Sequence, residues 1–339
     1  MAELTERQQA ILKLIVSEYI RSAVPVASQS LFRNYKLGVS SATIRNDMAC
    51  LEELGYISHP HTSAGRVPTD KGYRYFVEWL MDDVELSHEE QESIRCQFHQ
   101  VESDVTGWTQ MAAAVLAGMV KTASVVTLPA APQCRLKHLE VVGVQDAVVL
   151  LIVVLAEGTV RQQMLNLPQA VDDDELERVS HKLTTLFRGR TADQIRLNAT
   201  AMSPVEAVVK EHLVRIMAQR DAQKYHNVYF DGIMNMFSQP EFSQAGRMRQ
   251  MLEVLHSRGI IADVLPKVMA SDGVRVLIGG ENQVEALRQC SIVLSRYGVG
   301  SSITGILGVL GPTRLPYERA ISAVRYTCAV MNDLMREYF

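Results

Sequence analysis

The chain predicts an α+β multidomain protein: an N-terminal winged helix-turn-helix, then an antiparallel-sheet domain interrupted by a mainly helical insertion. Three observations carry that expectation. Val39 to Tyr75 reads as a capped helix, a short hairpin with a polar, glycine-containing tip, and a second capped helix. That order suits one helix in the major groove of DNA and a hairpin on the flanking backbone. Three apolar strands follow one another between Leu136 and Leu167, and strand patterns resume only at Val274, with helical spacing over roughly 170–272 between them.

At 339 residues, two or three domains are expected. A hydrophobic share of 47% and a charged share of 21% describe a soluble globular chain, and the net charge of −4 does not advertise a nucleic-acid binder. Basic character must therefore be sought in segments, because phosphate responds to the local field. Cys50, Cys96, Cys134, Cys290 and Cys328 are scattered and never spaced as C-x-x-C. That argues against a disulfide framework or zinc site and for a reducing cytosol. MAELTERQQ is no signal peptide, and the longest apolar run, Ala147 to Ala156, is ten residues, too short to span a bilayer as a helix. A cytoplasmic location without a membrane partner is expected.

Thr5 with Gln8 forms a capping-box pattern, and Ile11, Leu12, Ile15, Val16, Tyr19 and Ile20 make one helical face. A short helix over Ala27 to Tyr35 and a turn ending at Gly38 lead to Ser40, the N-cap of a helix running to Leu54. Ile44, Met48, Leu51 and Leu54 form its buried stripe. Ser40, Ser41, Thr43, Arg45 and Asn46 are left at its outward N-terminal end as candidate DNA contacts. Arginine pairs bidentately with guanine and asparagine with adenine, while hydroxyls suit either bases or phosphates. Tyr56 to His59 and Arg66 to Val67 read as wing strands. His61, Thr62 and Ser63 at the tip, with Arg66, are candidate backbone or minor-groove contacts. His59 and His61 read as loop histidines rather than metal ligands, because no matching Cys or Asp spacing accompanies them. Thr69 caps a helix to about Met81 that carries Lys71 and Arg74, the last two candidates.

From Arg33 to Arg74 the chain has six basic residues (Arg33, Lys36, Arg45, Arg66, Lys71, Arg74) against four acidic (Asp47, Glu52, Glu53, Asp70). A surplus of two implies weak binding by one copy, hence a homodimer on an inverted-repeat, double-stranded operator. From Asp82 to Asp104 the composition turns acidic, which reads as a solvated linker passing into a helix (81–104). An Ala- and Met-rich helix follows from Val105, with Gly107 and Gly118 allowing close packing. The strands at Leu136–Val144, Ala147–Leu155 and Thr159–Leu167 form a meander whose expected continuation is Val274–Ile278, Ser291–Ser295 and Ser301–Leu310, closed by a helix from Pro316. Helices opened by Asp172 and Ser203, and one over Phe242 to Arg258, fill the interruption, along with seven of the fifteen methionines. Such a Met-rich surface suits either core filling or a dimer interface.

SSATIRNDMACLEELGYI (Ser40 to Ile57) and HTSAGRVPTDKGYR (His61 to Arg74) resemble the N-terminal domain of the HrcA family of bacterial heat-inducible transcription repressors. The resemblance implies a DNA-binding domain over 1–80 and a GAF-like domain over 105–169 and 273–339. The 170–272 stretch is then an inserted dimerisation domain. It further implies repression of chaperone and chaperonin genes, with chaperonin holding the repressor active. Catalytic motifs are missing: Gly298 to Gly305 lacks the Lys-Ser/Thr of a phosphate loop, and neither G-x-S-x-G nor H-E-x-x-H occurs. No enzymatic activity, cofactor or metal is expected. The competing expectation is a winged-helix regulator that senses a small molecule in a GAF-like pocket.

Overall fold

The computed structural model describes residues 4–60, 65–101, 104–130, 133–156, 158–223, 228–243, 245–256, 273–300 and 303–338. Two compact units result: Met1–Pro129 with Val228–Val299 and Gly305–Phe339, and Ala130–Asn227 with Gly300–Thr304.

The N-terminal domain is a winged helix. Helix α1 (Glu6–Ser22) starts at Thr5, whose hydroxyl accepts the Gln8 N–H at 3.3 Å while the Gln8 side chain accepts the Thr5 N–H at 3.0 Å. Its buried residues Ile11, Leu12, Ile15 and Val16 lie among α2 (Ser28–Asn34) and α3 (Ser41–Glu53), which contribute Leu31, Ile44, Met48 and Leu51. Strands β1 (Ile57–Ser58) and β2 (Val67–Pro68) pair antiparallel, and Val26 exchanges both backbone hydrogen bonds with Arg66 at 2.8 Å. Helix α4 (Asp70–Tyr75), capped by Thr69 through the Gly72 N–H at 3.2 Å, widens into a π-type turn over Phe76–Leu80. Two glycines are imposed by contact: a Cβ at Gly65 would stand 2.6 Å from the Pro25 carbonyl, and one at Gly72 2.1 Å from the Tyr56 oxygen.

Helices α5 (His88–His99) and α6 (Val105–Val120) lead to β3 (Ala123–Thr127). The second unit then begins. Strands β4 (Leu136–Gln145), β5 (Val148–Leu155) and β6 (Val160–Asn166) form their own antiparallel sheet. One face of that sheet buries Leu139, Val141, Val149, Leu151, Val153 and Leu165. They share a core with α7 (Asp173–Phe187), α8 (Ala192–Arg196) and α9 (Pro204–Gln223). The caps expected at Asp172 and Ser203 are present, accepting from Glu175 N at 2.7 Å and Glu206 N at 3.2 Å.

The chain re-enters the first unit with β7 (Val228–Asp231), α10 (Ile233–Phe237), α11 (Ala245–His256), β8 (Val274–Ile278), β9 (Cys290–Val299), β10 (Ile303–Pro312) and α12 (Tyr317–Tyr338). The sheet order is β7-β3-β10-β9-β8. Numbered along the chain this is 2-1-5-4-3, the arrangement of a GAF-like domain. Tyr297 lies against Gly305, where a Cβ would meet its ring at 2.5 Å, and its hydroxyl donates to the Thr127 carbonyl at 2.6 Å.

Three expectations are corrected. The 136–167 meander does not continue into the downstream strands. It belongs with α7–α9, so the segment inserted into the five-stranded sheet is Ala130–Asn227, while Val228 to Phe242 lies in the sheet unit. The expected boundaries of 105–169 and 170–272 therefore move. The acidic stretch does pass from an exposed segment, 82–85, into α5, but it is more than a solvated linker: Asp82 pairs with Lys13, Asp83 with Arg325 and Glu90 with Arg319, each at 2.8 Å, and Leu86, Ile94 and Phe98 are buried. Gly118 is exposed, and a Cβ added there would have nothing within 4 Å, so it does not serve close packing.

The glycine contacts make opposite predictions at two sites. Gly72→Ala must push α4 off the Tyr56 backbone and is expected to destabilise the protein by about 1–3 kcal/mol. Gly118→Ala, in an open helical position, is expected to stabilise by about 0.5–1 kcal/mol. Denaturant midpoints check both; equal effects at the two sites would show that the Tyr56 contact imposes nothing.

Candidate nucleic-acid interface

The reading helix is built from its cap outward. Ser40 accepts the Thr43 N–H at 3.2 Å and shares a 3.0 Å hydrogen bond with the Thr43 hydroxyl, so these two groups pre-order the first turn. With Ile44, Met48 and Leu51 buried, Arg45 and Asn46 emerge fully on the exposed face, and Ser41 and Thr43 are half-buried beside them. Asp47, which would repel phosphate there, is buried. Arg7 holds it from α1 through Nε at 2.7 Å and a second guanidinium nitrogen at 3.1 Å. The same salt bridge fastens α3 to α1.

At the far end of α3, Glu52 ties the helix to both arms of the wing. One carboxylate oxygen meets His59 Nδ1, after β1, and the other meets Arg66 at 2.8 Å, before β2. Arg66 is thus held against α3 at the base of the wing, its side chain 26% exposed. Lys71 donates to the Leu54 carbonyl at 2.7 Å, and its ammonium lies 4.4 Å from the Tyr56 ring centre. It therefore satisfies the C-terminal end of α3, where a cation is favoured. His61, Thr62 and Ser63 lie outside the described residues.

Arg74 is placed differently from the rest. Its Nε donates to Glu281 at 2.8 Å, one terminal nitrogen donates to the Val276 carbonyl at 2.8 Å, and the same nitrogen also meets Glu281. Burial lowers its pKa, but the Glu281 hydrogen bonds and charge, with Glu78 adding, leave it raised, so it stays a cation. Its guanidinium is committed to the sheet domain rather than set beside Arg45.

Arg33 and Lys36, on α2 and the turn before α3, enter the charge count but not the candidate contacts. Both are exposed with no ion-pair partner among the described residues, beside Phe32, 51% exposed, and the Ser40 cap. The signal for them is position: bases flanking the reading helix can meet the phosphates on either side of the groove. Nearby, Glu18 accepts from Tyr35 and pairs with Arg21 at 2.6 Å; the Tyr35 hydrogen bond holds its carboxyl below the usual range.

A capped helix presenting Arg45 and Asn46 beside a braced two-stranded wing defines a winged-helix DNA-binding protein. Residues 3–79 match the family described as "Winged helix-turn-helix transcription repressor, HrcA DNA-binding", and residues 107–321 match "HrcA protein C terminal domain". The chain belongs to the HrcA family of heat-inducible transcription repressors. It is 47% identical to the heat-inducible transcription repressor HrcA of Roseiflexus castenholzii over 99% of this chain and 96% of that one. Its identity to the Thermomicrobium roseum repressor is 42%, over 99% and 96%. A solved structure described only as a hypothetical protein shares the fold, with a TM-score of 0.63, 22% identity, and coverage of 99% of this chain and all of that one. The family consists of transcription repressors, not enzymes. Among the described residues, no helix is long and apolar enough to cross a membrane.

Proposed function

We propose that this chain represses chaperone and chaperonin genes in the bacterial cytoplasm by binding an inverted-repeat operator as a homodimer, on the nucleoid. The observation that carries this reading is the exposed pair Arg45 and Asn46 on a helix whose own acid, Asp47, is neutralised from behind. Arg45 and Asn46 read base edges. Ser40, Ser41 and Thr43 set the first turn and meet phosphate. Arg66 and the tip residues His61, Thr62 and Ser63 serve the flanking groove, with Arg33 and Lys36 added as phosphate contacts. Lys71 acts indirectly, by finishing α3.

Dimerisation is supported by the second unit. The face of its sheet away from α7 and α9 carries Val142, Leu150 and Met164 in one cross-strand row and Val154 with Val160 in another. Val142, Val144, Val160 and Met164 are 41–56% exposed. His138, Glu140 and Gln162 lie on the same face, so it is a mixed surface with exposed apolar rows. Such rows call for a cover, and a second copy supplies one with the two-fold symmetry an inverted repeat requires. Chaperonin dependence is supported by folding order. Strand β3 must pair with β7 and β10, from which about a hundred and about 180 residues separate it, so closure is slow and leaves apolar strands waiting. When unfolded proteins occupy the chaperonin, the repressor loses activity and its targets are expressed.

Three measurements follow from this reading. Arg45→Ala and Asn46→Ala are each expected to cost about 1–3 kcal/mol and to relax selection at particular bases. Arg33→Ala and Lys36→Ala should weaken binding to every sequence, and each should flatten the salt slope by about one, the share of a single neutralised phosphate. Uniform losses at all four would refute the division. Met164→Glu should raise the dimer dissociation constant about tenfold or more, read by sedimentation; an unchanged dimer removes this face from its role. Denatured protein should regain operator binding fully only with chaperonin and its nucleotide, and equal unaided recovery would end that part of the proposal.

A further inference from the structure

We propose that Asp70 and Arg74 of α4, gripped by the 279–281 turn, hold the DNA reader at one angle on the five-stranded sheet and so fix the half-site spacing the repressor accepts. This rests on the dimeric, inverted-repeat reading above. The turn follows β8 and is built to receive α4. Gly280 donates its N–H to the Asp70 carboxylate at 2.8 Å. Gly279 sits at φ +51°, and a Cβ there would stand 2.2 Å from the Asp70 oxygens, so only glycine permits the approach. Glu281 accepts from Arg74 while also accepting the Ile278 N–H at 3.0 Å, which braces the carboxylate before Arg74 arrives. Asn282, buried, donates to the carbonyls of Gly279, Leu287 and Cys290 at 2.9, 3.1 and 3.2 Å and locks the turn from behind.

Two further ties prevent rotation about that grip. Arg314 donates to the Ile20 carbonyl at the end of α1 at 3.3 Å and is itself held by Glu241 at 2.5 Å. The stretch of chain after the winged helix is pinned on both sides, by Lys13 to Asp82 and by Arg325 to Asp83. Tyr73 fills the middle, buried against Tyr317 at 5.8 Å between ring centres. None of these ties uses Arg45 or Asn46. A reader on a loose tether would accept many spacings; a clamped one would not, because one added base pair carries the second half-site about 3.4 Å along the axis and about 34° around it.

The test uses the full-length protein on operators with identical half-sites and spacers varied one base pair at a time, alongside an isolated half-site. The unmodified chain should prefer one spacing over its neighbours by about tenfold or more. Glu281→Ala should keep isolated half-site affinity within about twofold while most of that discrimination is lost. The double charge swap, Arg74→Glu with Glu281→Arg, should restore part of it. Wild-type discrimination in Glu281→Ala overturns the proposal. So does an equal loss on half-site and full operator in a folded variant, which would assign these residues to DNA contact or general stability. Should Glu281→Ala melt early, Asp70→Asn carries the same comparison with a smaller perturbation. Indifference of the unmodified chain to spacing would overturn the dimeric reading as well, so failure of that reading appears before any variant is made.

Discussion

Three of the four carboxylates between Arg33 and Arg74 are occupied from within the protein, in a segment whose basic surplus is only two. Asp47 faces Arg7, Glu52 faces His59 and Arg66, and Asp70 accepts the Gly280 N–H. Each pairing also joins two elements: α1 to α3, α3 to the wing, and α4 to the sheet domain. Beyond joining elements, these pairings also set the direction of the charge. They turn negative charge toward the protein's own cations and leave Arg33, Lys36 and Arg45 exposed, with Glu53 the one acid of the segment still exposed and unpaired among the described residues.

The reader is legible in the sequence because its constraints are local. Caps at Thr5, Ser40 and Thr69 and the buried stripe of α3 are matters of spacing within one turn or two; the caps are present, as is the stripe at Ile44, Met48 and Leu51, while Leu54 sits half-buried at the C-cap. The strings around Gly65 and Gly72 are specific for a reason seen only in three dimensions: each glycine lies against another segment's backbone, so no side chain fits. Strands β3 and β7 carry no such signal. Ala123–Thr127 is buried on both faces and shows no alternation, and Val228–Asp231 reads as a short apolar run. Without those two the first half of the five-stranded sheet is hidden, and the 136–167 meander is drawn to a sheet it does not join.

The insertion between the first two strands of that sheet has an energetic meaning. Strand β3 lies between β7 and β10, so it stays half-paired until chain from both distant segments arrives. Loop closure over such distances costs entropy before any contact repays it. The Ala130–Asn227 unit, with its own sheet and core, can meanwhile form from contacts close in sequence. On the folding order proposed above, the unit that closes last is the one that carries the DNA reader.

Arg45, Arg66 and Arg74 show where sequence reasoning stops. All three are arginines in or beside a recognition motif, and charge counting treats them alike. Their surroundings diverge in what stands about 2.8 Å away: nothing for Arg45 among the described residues, the wing-bracing Glu52 for Arg66, and Glu281 for Arg74. Arg74 and Glu281 are 207 residues apart, beyond any local pattern. The same guanidinium chemistry that reads a guanine edge can clamp one domain to another. Which of the two it does is decided by partners that only the completed fold delivers.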